Sequence, residues 1–309
     1  MITKAIDNTV APSTRAALLA GLAIAVAGAV LFSMKAIVAK LLYRYHVDVV
    51  TLIGFRMLFS VPVLAAVAIW KMRTEAPLAP RDRWRLLGLG IIGYYVSSLL
   101  DFLGLQYVSV GLERLLLFMT PTFVLLITAF VLKRRIARVQ WIALALSYGG
   151  IVLVLAHDLH AKGGNVLAGA LMVLGAAMTY ALYLLGTGEM VKRIGSLRLV
   201  AYAMCAASGA GLLQFFLLRP ASYLVQPLPV YGLSLVNGVF CTILPVFMTM
   251  AAVQRIGAAT ASQAGMIGPV STLFFAWALL GEPITAVQLA GTGLVLAGIY
   301  TLSLKKSTT

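Results

Sequence analysis

The sequence predicts an all-α integral membrane protein with ten transmembrane helices, arranged as two inverted five-helix repeats. Three observations carry that prediction: apolar blocks about twenty residues long, Lys and Arg gathered in the connectors between them, and a second half that repeats landmarks of the first.

The apolar blocks decide the class. The chain of 309 residues is 61% hydrophobic and only 11% charged, with a mean hydropathy of +1.00, whereas a soluble domain is about a quarter charged. That leaves too little polar surface to coat a soluble core. Read between polar connectors, the blocks give five spans in the first half: Ala16 to Met34 with an extension to Leu42, Val49 to Trp70, Leu86 to Gln106, Val108 to Leu132 and Val139 to Ala156. The second half gives Val166 to Gly186, Leu197 to Leu218, Val230 to Val253, Ala258 to Leu280 and Ala286 to Leu304. Residues 1–15 form a cytoplasmic N-terminus, 16–156 the first repeat, 157–165 a periplasmic linker, 166–304 the second repeat and 305–309 a cytoplasmic tail. The first block is long and lacks a small-residue cleavage site, so it reads as a retained span rather than a signal peptide.

The basic connectors decide orientation. The formal charge is +15, but the basic residues are spread over short connectors rather than gathered on one face, which argues against a nucleic-acid partner. With the N-terminus inside, the cytoplasmic side collects Lys71, Arg73, Arg81, Arg83 and Arg85, then Lys133, Arg134, Arg135 and Arg138, then Lys192, Arg193, Arg198, Arg255, Lys305 and Lys306. The outer side keeps few, and the positive-inside rule then places both termini in the cytoplasm of a multi-pass plasma-membrane protein, here a bacterial inner membrane. Cys205 and Cys241 fall inside apolar blocks and read as small hydrophobes, with no disulfide or metal role.

The repeat is the third observation. Residues 107–156 align without a gap on residues 255–304, matching Pro121 to Pro269, Ile136 to Ile284, Val139 to Val287, Gln140 to Gln288, Gly150 to Gly298 and Ile151 to Ile299. An odd number of spans per copy makes the copies enter the membrane from opposite sides. The basic run Lys133-Arg134-Arg135 accordingly aligns with Gly281-Glu282-Pro283, basic inside and acidic outside.

The segment Ala261 to Leu302, with its small-residue run, Pro269, apolar helix, Gly281-Glu282, Gln288 and Gly-rich last helix, resembles the closing part of the EamA repeat of the drug/metabolite transporter superfamily. The first half carries the same pattern around Pro121, Gln140 and Gly150, and Ala36 to Phe59 resembles the opening of the repeat, with Arg56 as its second-helix arginine. The resemblance covers nearly the whole chain. It implies a secondary transporter, mostly an exporter of amino acids and other small metabolites, with a central cavity between the repeats that opens alternately to each side. Two positions depart from the pattern: Arg134 stands where the first copy would carry Glu, and Cys205 lies near an expected Arg. A site using those positions is not carried over symmetrically.

Ionisable side chains inside spans cost about 2.5–3.5 kcal/mol each at the bilayer centre, so they face a cavity, pair, or both. Those in this sequence are Lys35, Arg56, Asp101, Glu113 and Arg114, all in the first repeat. Counted at ~1.5 Å per residue, they share a layer about 7 to 11 Å below the outer surface. Three cations against two carboxylates leave one positive charge to receive a substrate carboxylate. The alternative is a structural network in which Arg56 pairs with Asp101, and Lys35 or Arg114 with Glu113. A further hypothesis gives Asp101 or Glu113 a coupling proton.

The facing wall from the second half offers Tyr180, Tyr183, Gln254, Ser262, Gln263, Asn237, Thr242 and Thr249, while Tyr94 and Tyr95 are the first-half aromatic candidates. Pro121 and Pro269 are the expected hinges, among the intraspan prolines that also include Pro62 and Pro245. Ser147 to Gly150 and Ala290 to Gly293 suit close helix contact, including across a homodimer. Motifs of hydrolases, zinc proteases and nucleotide-binding loops are absent, so no enzyme, cofactor or metal is expected. His157-Asp158-Leu159-His160 reads as a solvated turn. The expected partners are a small-molecule substrate and membrane lipid, with an intramembrane enzyme, and then a channel or receptor, as alternatives.

Overall fold

The computed structural model describes the backbone of residues 15–131, 138–162 and 165–304. Among them, nine helices are long and apolar enough to cross a membrane, and the helix Ala286–Leu304 makes a tenth span. In order the spans are Arg15–Arg44, Val49–Thr74, Pro80–Leu105, Val110–Phe130, Arg138–Lys162, Asn165–Ile194, Ser196–Leu218, Leu228–Gly257, Gln263–Leu280 and Ala286–Leu304. The protein is an all-α multi-pass membrane protein. The face where the first span begins is termed the N-terminal face, and the opposite one the distal face.

Most spans run longer than their apolar blocks, because Lys, Arg and Thr at helix ends are good enough helix formers to carry the turn into the headgroup zone. The first span takes its longer form and continues to Arg44. The fifth runs on to Lys162, so His157, Asp158 and His160 are helical rather than in a turn. Asp158 is 3% exposed and its Oδ2 accepts from the Ser109 amide at 3.3 Å, which gives it a structural duty the turn reading missed. Gly257 alone turns the chain from the eighth span into the ninth, with φ 78° and ψ 159°, a conformation that only glycine adopts without strain. The loop Lys133-Arg134-Arg135, residues 1–14, the tail 305–309 and the side chain of Ser262 lie outside the described residues.

The packing has the symmetry that a duplicated chain demands. The first span packs against the eighth and the third against the sixth, while the second packs on the seventh and the fifth on the tenth. Exchanging the copies turns the first pair into the second and maps each of the other two onto itself. Irregularities are duplicated as well. The third and eighth spans each contain a π-helical stretch, Ile91–Val96 and Val236–Ile243. The fourth breaks at Phe118 and Met119 and the ninth at Met266.

Pro121 and Pro269 fall in the first turn after those matched breaks. They begin new half-helices, where a missing N–H costs nothing, and so stand at discontinuities rather than within kinked helices. Pro62 lies in an unbroken helix.

The small residues of the fifth and tenth spans meet within the chain. A Cβ on Gly150 would lie 2.5 Å from the Gly291 carbonyl oxygen, and one on Gly298 would lie 2.6 Å from that of Ala143. Gly150→Leu is therefore expected to cost about 1–3 kcal/mol through overpacking, seen as a lower thermal unfolding midpoint in detergent. Gly149→Leu, with nothing within 4 Å of its added Cβ, serves as the control and should stay near wild type.

Candidate functional site

Four spans bring the five charges of the layer together. Lys35, on the first span, donates to Asp101 Oδ2 of the third at 2.6 Å. Two phenylalanine rings separate the cations: Phe102 lies 5.4 Å from Lys35 Nζ and 5.3 Å from the Arg56 guanidinium, and Phe32 lies 5.4 Å from Lys35 Nζ and 5.0 Å from that of Arg114. The order Arg56, Phe102, Lys35, Phe32, Arg114 lets each ring face a cation on both sides, which is attractive in a dry setting. Phe102 follows Asp101 in sequence and Phe32 sits one helical turn before Lys35. Aromatic residues at such spacings from a buried charge were a signal that the sequence reading did not use.

The pairing differs from the expected network. Arg56 does not pair with Asp101; its Nε donates to Thr242 Oγ1 at 3.0 Å and its Nη1 to Ser98 Oγ at 3.1 Å. Arg114 donates to Ser33 Oγ at 3.3 Å, and its Nε has no partner. Neither makes an ion pair among the described residues. Glu113 pairs with neither Lys35 nor Arg114; both its oxygens lack a hydrogen-bond donor. Neighbouring helical side chains diverge by about 100°, which sets Arg114 and Glu113 toward different partners, and Lys35 points its one carboxylate bond at Asp101.

Arg56 is also the bridge between repeats. Within the π-helical stretch Thr242 donates to the Asn237 carbonyl at 2.8 Å and presents its lone pair to Arg56. Asn237 Nδ2 reaches the Lys35 carbonyl at 3.5 Å. Arg114 meets the second repeat just past its break, since a Cβ on Gly268 would lie 2.7 Å from Nη2. Only glycine leaves room for the guanidinium there.

The tyrosines form a second cluster. Tyr94 lies 6.1 Å from Tyr180 and 4.9 Å from Tyr183, and Tyr180 stacks on Tyr183 at 5.7 Å. Under the residue pairing that matches Pro121 with Pro269, Phe32 corresponds to Tyr180, Lys35 to Tyr183 and Asp101 to Thr249. The tyrosine cluster thus occupies the place in the second repeat that the charged layer occupies in the first. Tyr95 stands apart, near Gly211 of the seventh span. Gln254 and Gln263 are exposed and join neither cluster.

An open cavity of about 610 Å³ lies at the distal face, lined by residues that include Lys40, Tyr43, Arg44, Asp48, Gln106 and Glu282. Deeper between the repeats lie the Arg56–Thr242 contact and the Tyr94, Tyr180 and Tyr183 rings. Three latches tie the repeats together at the distal face: Arg44 donates to the Leu280 carbonyl at 2.7 Å, Val110 N–H donates to Glu282 at 3.2 Å, and Asp48 pairs with Arg219 at 2.9 Å. On the N-terminal face Arg198 meets Glu75 at 3.3 Å and donates to the Ala76 carbonyl at 2.7 Å. Arg198 is buried, although its position at a span end made it read as a loop charge.

This duplicated architecture matches a known family. The family model of the EamA-like transporter family matches residues 19–156 and 167–304. The chain belongs to the EamA-like transporter family. It is 31% identical over 274 residues to the uncharacterized transporter YcbK of Bacillus subtilis (strain 168), covering 86% of this chain and 87% of that protein. It is 26% identical over 266 residues to a protein of Salmonella typhimurium (strain LT2) named "Probable amino-acid metabolite efflux pump", covering 83% and 86%. A crystal structure with a TM-score of 0.64, at 16% identity and covering 96% of this chain and all of the other, shares the fold.

One latch of this EamA-like transporter, Asp48–Arg219, is expected to weaken in acid. Burial pushes the Asp48 carboxyl up, but hydrogen bonds from Arg219 and Thr51 outweigh it and hold the group below its usual range. A lowered folded-state value means that the carboxylate contributes stability above the ordinary carboxylate range, and that this is lost as pH falls through the lowered value. Arg219→Gln should flatten that acid-side loss in a thermal unfolding series against pH.

Proposed function

We propose that this chain is a secondary transporter that exports small metabolites, such as amino acids or related solutes, by alternating access between its two inverted repeats. The observation that carries this reading is Arg56: a guanidinium 5% exposed, placed where the repeats meet, hydrogen-bonded to hydroxyls and beside the Phe102 ring, with no ion pair among the described residues. An uncompensated charge at membrane depth is costly, and a ligand carboxylate arriving between the repeats would offset that cost. The efflux-pump name of the Salmonella relative supports the amino-acid class. The matched breaks at Phe118–Met119 and Met266 supply elements that two states could use differently, and the distal latches are the contacts that opening there would release.

The distribution of Lys and Arg supports an N-terminal face in the cytoplasm of a bacterial inner membrane. The partners are then the solute and lipid. The test is counterflow: proteoliposomes loaded with unlabelled L-amino acids should accumulate a labelled one transiently and leave it chemically unchanged. Conversion of the label in detergent, with no counterflow in vesicles, would make the protein an intramembrane enzyme instead.

A further inference from the structure

Two of the buried carboxylates, Glu113 and Asp101, have a hydrogen-bond deficit that one proton would repair. Glu113 is 1% exposed and Asp101 2%. Among the described residues both Glu113 oxygens and Asp101 Oδ1 lack a donor, while Asp101 Oδ2 is held by Lys35. The two side chains lie within hydrogen-bonding reach of each other. Ionised carboxylates only accept, and two of them side by side in a dry interior do not both stay ionised.

The surrounding groups do not fill the deficit. Lys35 donates to Asp101, Arg56 to Thr242 and Ser98, and Arg114 to Ser33, and among the described residues none of them donates to Glu113. From the other elements, Asp158 accepts from Ser109 N–H and Glu282 from Val110 N–H, while Cys241 lies beside Arg56 and Lys35, and neutral Gln288 beside Gly111. Tyr43 gives its hydroxyl proton to the Phe102 carbonyl at 2.7 Å. Tyr43 also lines the distal cavity and neighbours both carboxylates.

We propose that Glu113 is the proton-binding group of this transporter, shares its proton with Asp101, is loaded from the distal cavity past Tyr43, and exchanges the proton for the ammonium group of an amino-acid substrate. The proton forms an O–H bond on Glu113 and is donated to Asp101 Oδ1. A ligand ammonium entering from the N-terminal face brings donors to the same bare oxygens, so Glu113 releases its proton to that face as the ammonium binds. Proton and substrate therefore exclude each other, which is the logic of an exchanger. With the N-terminal face in the cytoplasm, the distal cavity faces the compartment that proton pumping acidifies, and protons moving inward drive solute outward. This inference rests on the transport reading above.

Two measurements separate the inferences. Infrared difference spectroscopy of the purified protein across pH needs no substrate. A carboxylic-acid C=O band that shifts in D2O should be present in wild type and absent in Glu113→Gln. Absence of the band in wild type at every pH, or its survival in Glu113→Gln, overturns the proton site. Should Glu113→Gln not fold, the band must change frequency in Glu113→Asp, and an unmoved band counts against the proposal.

The second measurement is thermal stabilisation by an L-amino-acid mixture. Below the titration point its half-saturating concentration in wild type should rise about tenfold for each unit by which the pH falls, as competition with one proton requires. A pH-independent value overturns the exchange. No stabilisation and no counterflow at any pH would remove the amino-acid reading, and the infrared result would then decide the proton site by itself.

Discussion

Lys35→Met is expected to destabilise the folded protein by about 3–5 kcal/mol, the cost of leaving one member of a buried ion pair without its partner. The pair is tight, at 2.6 Å, and both members are buried. The loss should appear as a lower thermal unfolding midpoint in detergent. The double variant Lys35→Met with Asp101→Asn removes both charges and should recover most of the loss, because the penalty belongs to the stranded carboxylate more than to the missing contact. If the double variant is no more stable than the single one, the pair matters through packing around Phe32 and Phe102 instead.

Arg56→Ala is expected to weaken binding of a carboxylate-bearing solute by roughly ten- to a hundredfold, the equivalent of about 1.5–3 kcal/mol for a hydrogen bond to a charged group. The measurement is a thermal-shift screen against amino acids, nucleosides and organic acids, run on wild type and variant. Stabilisation by the carboxylate-bearing classes should fall in the variant. Arg56→Lys should be intermediate, since an ammonium keeps the charge but not the fork that meets a carboxylate with two bonds. Equal stabilisation of wild type and Arg56→Ala would show that Arg56 serves only to tie Ser98 to Thr242.

Much of the charged layer was legible because depth is arithmetic along a helix. Lys35, Arg56, Asp101 and Glu113 lie at similar distances from span ends, and they do come together. Their partners were not legible. Which of three cations takes Asp101 depends on the rotation of each helix, and no count of residues supplies that. Arg198 was misread for a related reason, because a charge at a span end is solvated or buried according to what the neighbouring loop does. Here residues 75 and 76 fold over it. Pro121 and Pro269 were found through the repeat, but not that each starts a half-helix after a break. Proline restricts its own φ and removes a donor, and neighbouring helices decide whether the chain kinks there or stops.

The sequence by itself determined the membrane class, the ten spans and the duplication, because lipid demands long apolar helices and gene duplication leaves matched landmarks at matched positions. Tertiary structure alone decided that Arg56 reaches Thr242, that Lys35 belongs to Asp101, and that Glu113 is left without a donor. Those outcomes turn on ångström-scale approaches between helices, set by Gly268 beside Arg114, by the π-helical turn at Asn237 and by the rings of Phe32 and Phe102. A pattern of hydrophobicity carries the axis of a helix across the membrane but not its rotation about that axis, and it is the rotation that selects partners.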